Sequence, residues 1–221
     1  MLIPLYRAGS ERSESFELLP SKIIGVGKNY RAHAAEMGSA ALPTHPLLFL
    51  KAPSALIGAN ETIVRPAGYE RVDHEAELGV VIGRRARRVA AANALDFVLG
   101  YTCVNDVTVR DLQQTDGQWT RAKGFDTFCP VGPCIRADLD PSNRRVQSRV
   151  NGELRQDGTT ADLIFSVPTL IEFITAAMTL EPGDIISTGT PAGVGQLWPG
   201  DRVDVEVQGV GVLSNPVAGA D

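Results

Sequence analysis

The sequence predicts a β-rich, mixed α+β fold with few helices, and three patterns carry that prediction. Short apolar or alternating runs recur along the chain, each closed by Gly, Pro, Asn or Asp, as strands bounded by turns are. Tight turn signals, Asn151-Gly152, Pro182-Gly183-Asp184 and Pro199-Gly200-Asp201, sit between such runs. Only residues 167–178 hold a sustained helical period: Pro168 suits a first turn, and Leu170, Ile171, Ile174, Ala177 and Met178 make one apolar face.

At 221 residues the chain suits one large domain, or a domain with a small appendage, with a substantial core. Residues 1–20 lack a clear period and read as an N-terminal arm or lead-in strand, with residues 21–221 as the single main domain. A net charge of -5 argues against nucleic acid as a partner. The one basic run, Arg84-Arg85-Ala86-Arg87-Arg88, follows Gly83 directly and reads as a solvated strand-end loop. Cys103, Cys129 and Cys134 are odd in number and lack metal-type spacing, which predicts reduced core thiols. No basic N-terminal region precedes a long apolar stretch, and no run of 18 apolar residues occurs; the expectation is a soluble, cytoplasmic protein with no membrane partner.

In chain order, residues 22–27 read as a buried strand, after which Asn29 can cap a helix running through Tyr30, His33, Ala34 and Met37. His33 and Glu36 share a face of that helix. They read either as a water-activating pair, the carboxylate fixing the imidazole tautomer, or as an ordinary surface pair. Gly25 and Gly27 resemble part of a dinucleotide fingerprint, but the third glycine and the downstream acid are not at the required spacing. Residues 47–50 and 62–64 read as further strands.

Residues 72–83 then read as one strand with Glu75 and Glu77 near its start, on one face and about 7 Å apart. Two like charges so placed either hold a divalent cation through hard oxygen ligands or lie on a solvated face. His74 points to the other face, which makes it a packing or bracing residue rather than a ligand.

The next apolar run, 97–104, ends at Asn105-Asp106, so Asp106 can join the two glutamates if the strands are neighbours. Residues 107–114 have helical character and put Arg110 and Gln113 one turn apart. Lys123 falls in a Gly-containing connection before the strand 129–136. Strands follow at 146–150, 185–187, 202–207 and 210–213. Between the third and second last of these, the glycines and threonines of 188–195 suit either close backbone approach to an anion or a plain surface turn.

Taken together in this order, certain segments resemble the fumarylacetoacetate hydrolase family, in particular its short acylpyruvase-like members. They are Gly27-Lys28-Asn29-Tyr30-Arg31-Ala32-His33, Pro46 to Lys51, His74-Glu75-Ala76-Glu77-Leu78-Gly79, Asn105-Asp106 with Arg110-Asp111, Ala122-Lys123-Gly124-Phe125, Val150 to Gln156 and Thr188 to Gly195. The resemblance implies a rolled mixed β-sheet with a few short peripheral helices, a catalytic domain over 21–221 and a homodimer. It also implies one Mg²⁺ or Mn²⁺ per subunit on Glu75, Glu77 and Asp106, His33 and Glu36 on a lid helix, Lys123 reaching the substrate, and Gly189 and Thr190 holding its carboxylate. Lys28, Tyr30, Arg110 and Gln113 complete the candidate substrate contacts. Lys28 stands where relatives often have arginine, and it lacks the bidentate fork.

The activity this implies is metal-dependent hydrolysis of a C–C bond in an acylpyruvate or related 2-oxo acid, with water activated by His33 and Glu36 and the pyruvate enolate stabilised by the metal and Lys123. Decarboxylation of oxaloacetate and enol–keto isomerisation pass through the same enolate and stand second. Zinc is disfavoured by an all-carboxylate ligand set. A non-catalytic binding protein on the same scaffold is disfavoured because it needs neither the His33–Glu36 pair nor Lys123.

Overall fold

The computed structural model describes residues 1–36, 38 and 41–220. In chain order the strands are β1 (Leu2–Tyr6), β2 (Ser13–Glu17), β3 (Ile23–Gly27), β4 (Leu47–Lys51), β5 (Leu56–Ile57), β6 (Ile63–Arg65), β7 (Val72–His74), β8 (Ala76–Ile82), β9 (Val98–Asn105), β10 (Thr108–Val109), β11 (Cys129–Arg136), β12 (Arg145–Val150), β13 (Glu153–Thr159), β14 (Ile185–Ser187), β15 (Gly195–Gln196), β16 (Arg202–Val207) and β17 (Gly211–Gly219). The α-helices are short: α1 (Arg31–Glu36), α2 (Arg110–Thr115), α3 (Thr120–Lys123) and α4 (Val167–Ala177). The β-rich α+β class read from the sequence is the class observed.

A nine-stranded mixed sheet runs β2-β1-β11-β9-β8-β14-β3-β4, with β5 beside β11. Five strands, β13-β12-β16-β17-β6, and three, β10-β7-β15, form separate sheets. At the centre, β8 is antiparallel to both β9 and β14 and buried along its whole length. Ala76, Leu78, Val80 and Ile82 face one core, shared with Leu170, Ile171 and Ile174 of α4 and with Val146, Val205 and Val207 of the five-stranded sheet. Val81 faces the other core, with Ile23, Val104 and Ile185. Glu77 shares the Val81 side by strand alternation. The solvated-face reading of these glutamates therefore fails, since both strand faces are covered.

Several expectations need correction. The strand expected over 72–83 is two strands in different sheets, broken at Glu75. The hydrophobic pattern runs through the break, while the hydrogen-bonding partner changes from β10 and β15 to β9 and β14. The helical stretch 107–114 becomes β10 followed by α2, and Lys123 ends a helical turn instead of lying in a loop. In α1 the helical residues are Arg31–Glu36, and Met37 lies outside the described residues. Asn29 does not cap α1 with its side chain: its amide donates to Phe165 O (3.1 Å) and Thr188 O (2.7 Å) and accepts from Phe165 N (2.8 Å).

In α4, Ser166 caps the start and Leu170, Ile171 and Ile174 are buried as expected, whereas Ala177 is exposed. The basic run supports its other end, where Arg87 donates to the Thr175 and Ala176 carbonyls (2.9 and 3.1 Å), as a cation at a helix C-terminus should. Residues 2–17 form a hairpin whose first strand pairs in parallel with β11.

Asp184, in the first Pro-Gly-Asp turn, is buried and fastens β14 to the chain before β3. It accepts from Ser21 N (2.9 Å), Ser21 Oγ (2.7 Å), Lys22 N (3.0 Å) and Glu181 N (2.8 Å), and pairs with the Lys22 ammonium. Burial alone would raise its pKa, but these donors hold it below the usual aspartate value. Asp184→Ala removes the acceptor from all of them and is expected to cost about 3 kcal/mol, read as a lower denaturation midpoint with unchanged m-value.

Candidate active site

Beside the inner face of β8 lies a cleft of about 630 Å³. Its lining includes His33, Glu75, Glu77, Asp106, Gln113, Lys123, Thr190 and Lys28, residues spread over 163 positions of sequence. Glu75 sits at the β7–β8 break and Glu77 one residue into β8. Asp106 follows β9, whose Asn105 is paired with Ala76. The break is pinned from β9, since Glu75 N donates to Asn105 Oδ1 (3.0 Å) and Asp106 N to Glu75 O (2.9 Å). Carboxylate oxygens of Glu75, Glu77 and Asp106 come within 4.8 Å of one another. Strand adjacency thus supplies the third carboxylate.

The electrostatics are unusual. Asp73, Glu75, Glu77 and Asp106 are all buried, and the buried cations near them are Lys51, Arg110 and Lys123. Arg110 lies 2.8 Å from Asp73 Oδ2 and 2.7 Å from Glu75 Oε1. Lys123 Nζ lies 2.9 Å from Glu75 Oε2, 2.5 Å from Asp106 Oδ2 and 2.8 Å from Thr108 Oγ1. Lys51 Nζ donates to the other Asp106 oxygen at 2.6 Å. Among the described residues, Glu77 is the one of these four carboxyls that makes no ion pair. Its Oε2 accepts from Ser187 Oγ (2.6 Å) and Gly189 N (2.7 Å).

The pKa directions follow. Burial would raise Glu75, but Lys123 and Arg110 overcome it and hold that carboxyl far below its usual range. Burial raises Glu77, and the charges of Asp106 and Glu75 raise it further, to about 8. Burial would lower Lys123, yet Asp106 and Glu75 keep its pKa above the ordinary lysine value.

This donor set fits a hard divalent cation. All three groups are carboxylates, they converge, and one lacks the positive charge that would keep it ionised at neutral pH. Glu75, Glu77 and Asp106 are the residues that could hold such an ion.

Across the cleft, His33 is buried on α1 with Nδ1 3.0 Å from Glu36 Oε2. The other Glu36 oxygen accepts from Gly193 N at 3.0 Å. Glu36 thereby orients the imidazole through Nδ1, so that Nε2 is the ring nitrogen not engaged in this bond.

Three expected substrate contacts are otherwise engaged. Arg110 is tied to Asp73, Glu75 and, through Nη1, Gln113 Oε1 at 2.8 Å. Gly189 gives its N–H to Glu77, and the Thr190 hydroxyl donates to Ala76 O (2.8 Å) while accepting from Gln156 Nε2 (2.6 Å). The 188–195 loop does approach acidic groups, but they are the protein's own Glu77 and Glu36 side chains. Tyr30 is buried outside the cleft lining, and burial with the Glu77 and Asp162 charges raises its pKa. His74 is buried and braces rather than faces the cleft, its Nδ1 3.2 Å from Gln156 Oε1.

A model of the fumarylacetoacetate hydrolase C-terminal domain matches residues 22–218. The chain belongs to the fumarylacetoacetate hydrolase family. Enzymes of this family are generally divalent-metal dependent, which agrees with the acid cluster. The chain is 46% identical to oxaloacetate tautomerase YisK of Bacillus subtilis over 90% of this chain and 70% of that one. It is 48% identical to the 4-hydroxyphenylacetate degradation bifunctional isomerase/decarboxylase of Escherichia coli, over 92% of this chain but 49% of that one. The structure of 5-carboxymethyl-2-hydroxymuconate delta-isomerase from Mycobacterium smegmatis superposes with a TM-score of 0.87 at 50% identity, covering 96% of this chain and 87% of that one. The resemblance read from the motifs is thus the family found. Among the described residues no helix is long and apolar enough to cross a membrane.

Sequence reasoning passed over Lys51, Phe49 and Trp119 as site residues. The available signal for Lys51 was a lysine ending an apolar run inside a sheet. Phe49 and Trp119 pack edge to face at 5.5 Å and wall the cleft, with the Lys123 ammonium 4.8 Å from the Phe49 ring. Gly25 and Gly27, which do not belong to a nucleotide site, make room for them. A Cβ at Gly25 would lie 2.1 Å from Phe49 Cζ, and one at Gly27 would lie 2.5 Å from Trp119 Cζ3.

Gly25→Ala is expected to destabilise by about 1–3 kcal/mol through overpacking, measured by thermal or chemical denaturation. For Glu77, a folded pKa of about 8 against the ordinary 4.5 means the folded metal-free protein binds more protons than the unfolded chain in that window. Stability should therefore fall as pH rises from 4.5 to 8 in chelator. Glu75 acts oppositely, contributing stability above 4.5 that is lost as pH falls below it. Adding Mg²⁺ at neutral pH should flatten the Glu77 slope and release about one proton per site, seen by calorimetry in buffers of different ionisation enthalpy.

Proposed function

We propose that the chain is a Mg²⁺- or Mn²⁺-dependent enzyme that interconverts the enol and keto forms of short 2-oxo diacids such as oxaloacetate, or decarboxylates them. The observation that carries the reading is the opposition of the oriented His33 imidazole to the Glu75, Glu77 and Asp106 cluster across one cleft. Tautomerisation requires a proton moved at the carbon beside the 2-oxo group, and His33 Nε2 is the group left to move it. Glu36 stabilises the imidazolium while it carries that proton.

A bound divalent ion supplies Lewis-acid polarisation of the 2-oxo group. Lys123 keeps its positive charge at the cluster, where negative charge grows on the substrate oxygen. Lys28 lines the cleft and makes no ion pair among the described residues, so its ammonium can attract a substrate carboxylate. Phe49 and Trp119 exclude water from one wall. The relatives support this order, since their names specify a tautomerase and an isomerase/decarboxylase. It reverses the order drawn from the sequence.

Hydrolysis of acylpyruvates is the second reading, favoured by the same His33–Glu36 pair, which suits water activation. Turnover of oxaloacetate, acetylpyruvate and fumarylpyruvate by the Mg²⁺-loaded protein separates the two. The expected result is accelerated loss of the oxaloacetate enol absorbance, and Glu36→Ala should reduce kcat by about 10²-fold while leaving Mg²⁺ affinity within about threefold. Faster cleavage of either acylpyruvate moves the assignment to hydrolysis. If no 2-oxo acid is turned over or raises the melting temperature with Mg²⁺, the chain is a binding protein on the family scaffold.

A further inference from the structure

Gln156 lies outside the cleft lining, yet its amide bonds to β8 and the 188–195 loop and lies against His74 at the end of β7. Oε1 accepts from Ala76 N (2.9 Å), between the two glutamates, and lies 3.2 Å from His74 Nδ1. Nε2 donates to Thr190 Oγ1 (2.6 Å) and Pro191 O (2.7 Å). The Ala76 N–H can only donate and the Pro191 carbonyl can only accept, so the amide orientation is determined from both ends. His74 Nδ1 must then carry the proton. All four hydrogen-bonding positions of a fully buried glutamine are filled.

A β-bulge delivers this side chain. In the β12–β13 pairing, Ser148 faces Gln156 but Arg149 faces Leu154, so Arg155 is the extra residue. Residues 153–155 and 157 are exposed, and Gln156 alone among them turns inward, as bulges near functional sites re-aim side chains. The 188–195 loop is seated on the same stretch: a Cβ at Gly193 would lie 2.1 Å from Arg155 O, and one at Gly158 would lie 2.5 Å from Pro191 Cβ. That loop gives Gly189 N–H to Glu77 and Gly193 N–H to Glu36.

We propose that Gln156 is a positioning residue that locks the 188–195 loop to β8 and so sets the placement of the His33–Glu36 pair relative to the acid cluster. Its kinetic consequence rests on the reading of pair and cluster as halves of one active site; its structural consequence does not.

Gln156→Met keeps the side-chain length and removes all four polar contacts. By hydrogen-exchange mass spectrometry, the variant should show at least tenfold faster exchange over residues 189–193, with little change over β9 and β14. In turnover, kcat should fall at least tenfold with KM within about threefold, and the loss should not multiply with that of Glu36→Gln, since both act through the same carboxylate. Unchanged exchange over 189–193, or exchange rising equally across the sheet, overturns the proposal. So does a kcat loss that multiplies fully with Glu36→Gln. If Gln156→Met does not fold, Gln156→Asn keeps the amide but retracts it by one methylene, and the same exchange pattern decides. A wild-type protein inactive on every 2-oxo acid tested would defeat the functional reading while leaving the exchange result to judge Gln156.

Discussion

Four carboxylates share the interior around the cleft with three cations, and much of the local architecture answers that imbalance. Arg110 and Lys123 bind Glu75 from two sides, and Lys51 and Lys123 bind Asp106 from two sides. Each pairing brings an element to the site: β4 brings Lys51, α2 brings Arg110 and α3 brings Lys123. Breaking one of these pairs would leave a buried charge uncompensated, which is far costlier than losing a surface pair. Glu77 is the exception, held by a hydroxyl and a backbone N–H that supply hydrogen bonds but no countercharge. The residue left over by the protein's own pairing is the one that a bound cation would complete.

The 188–195 loop is the second organising part. It connects Glu77 on one wall to Glu36 on the other through two backbone N–H groups, and it rests on a bulged strand from a different sheet. Positive φ at Gly189 (104°) and Gly193 (99°) is what lets those N–H groups point in the required directions. Its density of glycine therefore serves internal geometry more than ligand contact.

The sequence made much of this legible. The bounds of β11 and β16 follow from apolar runs and flanking turns, because local alternation and turn chemistry determine both. Glu75 with Glu77, and His33 with Glu36, are visible because each pair is close in sequence and shares a side. The acid break at Glu75 was hidden because burial on both sides of it preserves the apolar pattern while the pairing partner changes. Lys51 was hidden because its meaning depends on Asp106, a residue 55 positions away. Gln156 was hidden because a bulge has no hydrophobic signature, and the exposed Glu153, Leu154 and Arg155 before it give no sign that the next side chain turns inward.

The cleft's breadth depends on two missing methyl groups. At positions 25 and 27 a hydrogen stands where any other residue would carry carbon, and the rings of Phe49 and Trp119 occupy the space so left. The carboxylates and the contour of the aromatic wall are thus encoded by separate residues, although Phe49 shares β4 with Lys51 and lies under the Lys123 ammonium. A lineage can therefore reshape which molecules fit at positions 25, 27 and 119 without replacing a carboxylate, whereas a change at Phe49 also alters the surroundings of Lys123.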